Sequence, residues 1–210
     1  YYEGGQQNAT LAIQMAESEF DRITDVLGYS PFNRTKIFVY NATSDLNQSN
    51  VGLSLSSEKE IREENLAKSR IEIAYSGSAT MFRKELTREI SRVFIHDMLY
   101  GGSIKESLQN SLLLSVPEWF ISGIYQYIAE GWSTELDSYM SDAIINKFIK
   151  RPNQTAGREA GLIGQSVWNY IAERYGRENI SNILNLTRII RNEQTSISST
   201  LGMPFSRFLK

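Results

Sequence analysis

The chain has 210 residues, with 22 basic and 24 acidic side chains for a formal net charge of −2, and 41% of its residues are hydrophobic. That length suits one domain, or a domain with a small second lobe, and the apolar share is enough for a sizeable core. The near-neutral balance does not advertise nucleic acid or an anionic membrane as the partner, no apolar run approaches the ~18 residues of a membrane span, and the absence of cysteine excludes disulfides, thiolate metal sites and cysteine catalysis.

From Gln6 to Leu27 the apolar residues Leu11, Met15, Phe20, Ile23 and Leu27 fall near one helical face, and Gly28 is a natural stop. Lys36 to Tyr40 reads as a short strand between Pro31 and the Asn41-Ala42-Thr43-Ser44 break. Ser44 to Lys68 is polar and weakly patterned and is expected to be a loop, with room for a short strand near Val51 to Leu55. Arg70 to Tyr75 alternates as a second strand. A helix is expected from Ala79 to Leu99, stopping at Gly101-Gly102, and a shorter one from Ile104 to Leu113. Pro117 stands at a first-turn position for a helix reaching about Ala129. Helices at about Thr134–Ile149, Gly161–Tyr175 and Asn179–Arg191 follow, with a short final helix around Pro204-Phe205.

The expected fold class is α+β: a small N-terminal mixed sheet with a helix, followed by a mainly helical lobe. The whole chain is taken as one domain, 1–210, with a strand-bearing part at 1–77 and a helical part at 78–210. It opens without methionine at Tyr1, and is expected to be a piece of a longer protein.

Two segments point to a chemistry. One is Leu86-Thr87-Arg88-Glu89-Ile90-Ser91-Arg92-Val93-Phe94, within the expected 79–99 helix. The other is Val116-Pro117-Glu118-Trp119-Phe120-Ile121-Ser122-Gly123-Ile124-Tyr125-Gln126-Tyr127. Together they resemble the gluzincin metallopeptidases, in particular the peptidase MA family. Its zinc helix carries His-Glu-x-x-His, and its next helix carries the third ligand in a Pro-x-Trp-x-x-Glu-Gly run. Gly161 to Ile171, leading into Arg174-Tyr175-Gly176, resembles the helix such families place after the zinc site.

The motif works because two imidazoles at i and i+4 share a helix face and reach one ion, while the glutamate beside them activates the bound water. Aligned on Glu89, the histidine positions hold Arg88 and Arg92, whose guanidinium groups have no lone pair for a metal. The third-ligand position holds Ser122. The resemblance therefore implies a pseudo-metallopeptidase, a non-catalytic domain with a vestigial site at Arg88, Glu89, Arg92 and Ser122, and no metal or cofactor. His96 is the sole histidine. It lies four residues past Arg92 with Asp97 beside it, and is read mainly as a polar residue near a helix end. Arg88 and Arg92 would repel at i,i+4 spacing unless Glu85 and Glu89 pair with them. Candidate binding residues are Arg88, Glu89, Arg92 and His96. Glu118 is read as a cap residue, and Trp119, Phe120, Tyr125 and Tyr127 as core.

The Tyr100-Gly101-Gly102 turn and the Leu114 to Phe120 run are similar to peptidase-like domains that precede TolB-like β-propellers in envelope proteins of Bacteroidetes-type bacteria. The resemblance implies a periplasmic or outer-membrane-associated setting, a further domain such as a propeller, and a protein or peptide partner. Two alternatives stand beside the interaction module: a hydrolase with zinc-independent chemistry using Glu89, and a peptide- or glycan-binding module using the degenerate cleft.

Overall fold

The structure is a computed structural model, and it describes residues 6–49, 65–66, 68–75, 77–101, 116–148 and 150–209. By their contacts the residues form two units, Tyr1–Asn110 and Ser111–Lys210. Each is described by itself.

In the first unit α1 (Gln6–Leu27) precedes β1 (Lys36–Tyr40), α2 (Thr43–Ser49), β2 (Arg70–Ala74) and α3 (Ala79–Tyr100). The strands pair in parallel, Lys36 opposite Arg70 and Tyr40 opposite Ala74. Alternation along β2 sends Ile71 and Ile73 into the core. It leaves Arg70 and Glu72 on the other side, where they form an ion pair and the Arg70 guanidinium lies 4.2 Å from the centre of the Phe38 ring. Helix α3 begins at Ser78, whose hydroxyl accepts from Met81 N at 3.3 Å, and ends at Gly101, where a φ of 91° suits glycine. It packs against α1 and β2. Phe94 meets Phe20 edge-on at 4.6 Å between ring centres, and Ile23, Leu27, Phe82, Leu86 and Ile90 are buried.

One charged group is locked into this packing. The Glu19 side chain, 3% exposed, accepts from Arg22 at 2.8 Å and from Arg83 on α3 at 2.7 Å. Burial alone would push its carboxyl up, but the hydrogen bonds and charges of the two arginines outweigh burial and hold it below its ordinary value.

The second unit is helical throughout its described residues: α4 (Glu118–Glu130), α5 (Thr134–Ile145), a single 3-10 turn at Pro152–Gln154, α6 (Gly157–Tyr175), α7 (Glu178–Ile190), α8 (Glu193–Leu201) and α9 (Phe205–Phe208). Its centre is the crossing of α4 on α6. A Cβ on Gly164 would stand 1.8 Å from the Trp119 carbonyl oxygen, and one on Gly123 would stand 2.3 Å from the Gly164 backbone. The two backbones come this close only because neither position carries a side chain. Around the crossing, the Trp168 indole donates to Phe120 O at 2.9 Å, and Trp119 donates to Asn153 Oδ1 at 2.5 Å. The buried Gln165 amide donates to Gly131 O at 2.7 Å.

Several expectations change. The sheet is parallel among the described residues, not mixed, because the chain between β1 and β2 is long enough for a crossover. Thr43–Ser49 is a helix rather than the start of a loop, and it packs on both strands. By contacts α3 groups with the strands, and the division between the two units falls between residues 110 and 111. Pro117 is the residue before α4 rather than in its first turn. Helix α5 stops at Ile145, α6 starts at Gly157, and the tail holds two helices where one was expected. The expected strand at Val51–Leu55 and helix at Ile104–Leu113 lie outside the described residues.

Glu19 supplies a pH test. A carboxylate whose pKa is lowered by folding adds stability above its unfolded value and loses it as pH falls through the folded one. The stability advantage of the native chain over Glu19→Gln, from urea unfolding, should shrink as pH drops below 4.5. Removing the cations should cost more than removing the anion. Arg22→Ala/Arg83→Ala strands a buried carboxylate at about 3 kcal/mol, whereas Glu19→Gln leaves two arginines that are already half exposed and can turn to water.

Candidate functional site

Arg88, Glu89, Arg92 and His96 all stand on α3 in the first unit, and Ser122 stands on α4 in the second. The 3.6-residue period makes Arg88 and Arg92 neighbours on one face, where the resemblance would put two imidazoles. Both arginines and Glu89 are half-buried, while Leu86, Ile90, Val93 and Phe94 fill the core side of the same helix. Two buried hydroxyls on α3 are satisfied by its own backbone: Thr87 donates to Arg83 O and Ser91 to Thr87 O, each at 2.7 Å.

The decisive contact is between neighbours on this helix. Arg92 Nη1 donates to Glu89 Oε1, with the two side chains 18% and 22% exposed. The one residue that matches the water-activating position therefore already has a carboxylate oxygen engaged by a guanidinium. Partial burial makes such a charge-assisted bond stronger than an open surface pair. Glu85, one turn earlier, belongs to the same cluster. Burial and then the negative charge of Glu89 push its carboxyl above the ordinary value, against the pull of Arg88 and Arg92. Four alternating charges on consecutive turns thus act on one another, which relieves the arginine–arginine repulsion.

His96 is half-buried, with its ring 5.1 Å from that of Tyr100 at a 48° tilt. Burial pushes its imidazole below the usual value and the Asp97 charge only partly offsets this, so it is neutral at pH 7. Asp97 serves a different purpose from the one its neighbour suggests. Its Oδ2 accepts from the Tyr29 hydroxyl at 2.6 Å and from Phe32 N at 3.0 Å, which ties the turn after α1 to α3. Nothing in the local sequence signals that tether, since its partners lie 68 and 65 residues away.

In the second unit Ser122 is half-buried, next to the crossing glycine Gly123. Glu118 is a cap, but of another helix: its carboxylate accepts from Gly157 N at 3.1 Å, at the start of α6, where an anion suits the helix dipole. Trp119 and Phe120 are fully buried, whereas Tyr125 and Tyr127 are half-buried. Among the described residues, no three His, Asp or Glu side chains gather as a metal-binding group.

A groove of about 470 Å³ in the first unit had no signal in the sequence. It runs between α1 and β1 over Ala12, Ala16, Ile37 and Val39, with Glu17, Arg34 and Lys36 at its rim. Thr35 Oγ1 is buried beside it without a hydrogen-bond partner.

The chain matches no family model, no curated protein and no solved structure.

The α3 cluster is open to direct measurement. Glu89→Gln removes the like charge that raises Glu85 and releases Arg92 toward it, so the Glu85 midpoint in a carboxyl NMR titration should fall. An unmoved midpoint would show that the charges do not act as one cluster.

Proposed function

We propose that this chain is a non-catalytic, peptidase-like domain that serves as a protein-interaction or scaffold module. The observation that carries the reading is the Glu89–Arg92 ion pair. A general base needs an oxygen placed to take a proton from water, and the Glu89 carboxylate already spends one on the bond from the Arg92 guanidinium. Arg88 and Arg92 offer no lone pair to a Lewis acid, and Ser122 offers a hydroxyl where a carboxylate ligand would be needed. The periplasmic or outer-membrane-associated setting, with continuation into a β-propeller, belongs to the same proposal and rests on the resemblance alone.

A second reading, a peptide-binding module, is favoured by the groove between α1 and β1. Its apolar floor and the Arg34 and Lys36 side chains at its rim suit a short segment that pairs apolar with acidic residues. That groove uses none of the vestigial-site residues.

Metal analysis of the purified chain, paired with a broad peptide-cleavage screen, separates module from hydrolase. The expected result is no stoichiometric zinc and no cleavage that depends on Glu89. Turnover abolished by Glu89→Gln, with or without zinc, would overturn the proposal.

A further inference from the structure

The near-zero overall charge conceals one strongly cationic corner. In the eight residues from Ile144 to Arg151 stand Lys147, Lys150 and Arg151 and no acid, in a chain whose formal net charge is −2. All three cations are exposed. The same corner displays large apolar side chains: Ile144, Ile145 and Phe148 are 63%, 77% and 73% exposed. Helix α5 buries only Met140 and Ala143, and Ile145, two residues past Ala143, lies on the opposite side of the helix.

The corner is built, not frayed. Lys147 N donates to Ile144 O at 3.1 Å and Phe148 N to Ala143 O at 2.9 Å, with Lys147 in the left-handed region at φ 57°. This is the Schellman arrangement, in which the residue after the left-handed position ordinarily folds back onto the helix's apolar side. Here Phe148 faces water instead. A lysine also occupies the position that glycine fills at least strain.

We propose that this corner docks on an anionic lipid surface, with Ile144, Ile145 and Phe148 entering the headgroup–acyl boundary and Lys147, Lys150 and Arg151 meeting the phosphates. Exposed apolar side chains interleaved with cations along the chain are what such a surface recognises. Attachment is peripheral, since no helix among the described residues is long and apolar enough to cross a membrane. The proposal is independent of the pseudo-peptidase reading.

Co-sedimentation of the purified chain with vesicles tests it, comparing phosphatidylcholine alone with phosphatidylcholine mixed with phosphatidylglycerol. Binding should require the anionic lipid and weaken as salt screens the cations. Phe148→Ser should reduce partitioning roughly tenfold. Lys147→Gln/Lys150→Gln/Arg151→Gln should reduce it about a hundredfold, at about fivefold per cation. Met81→Ser, at a similarly exposed site in the other unit, should leave it unchanged, and thermal unfolding of all variants should match the native chain because the altered residues are at the surface. No partitioning onto anionic vesicles overturns the proposal, as a protein partner at this corner would produce. Partitioning that survives both corner variants also overturns it.

Discussion

The closeness of Gly123 to Gly164 sets the spacing of the whole second unit. With no Cβ on either side, α4 and α6 approach until backbone meets backbone, and the large side chains then have defined places. Trp168 reaches the Phe120 carbonyl, Gln165 reaches Gly131, and Trp119 reaches Asn153 beside the 3-10 turn. Each of those polar contacts closes a buried donor that would otherwise carry a desolvation cost. Helices held slightly farther apart would lose the contacts together.

That constraint changes how the metallopeptidase resemblance should be weighed. Its strongest residues in the second unit, Trp119, Gly123, Gly164, Gln165 and Trp168, all have packing work that needs no catalysis. The positions that would carry chemistry do not: Arg88, Glu89, Arg92 and Ser122 are half-buried, and the charged ones are engaged with each other on α3.

The sequence was most legible where one element's pattern is self-contained. The apolar faces of α1 and α3, the breaks on either side of β1 and the alternation of β2 located those elements to within a residue or two. Helix α2 was illegible because Thr43–Ser49 is short and rich in Ser, Asp and Asn, and it is held by the strands it covers. The start of α6 was placed late, at Gly161, because the turn from Gly157 to Ala160 opens on a glycine and carries no apolar periodicity. Parallel pairing, the reach of Glu118 to Gly157 and the Asp97 tether to Tyr29 join residues far apart in sequence, so no local pattern records them. On α3 the residue types of Arg88, Glu89 and Arg92 were legible, whereas the partner of Glu89 had to be chosen between neighbouring arginines by geometry.

The central proposal is that this chain is a non-catalytic, peptidase-like domain in which Arg88 and Arg92 stand where the resemblance would put two zinc-binding imidazoles. Calorimetric zinc titration of Arg88→His/Arg92→His, both on α3, against the native chain tests it most directly, with circular dichroism to verify folding. The expected result is zinc taken up by the double variant and none by the native chain. A folded double variant that takes no zinc, or a native chain that binds it as well, would contradict the proposal.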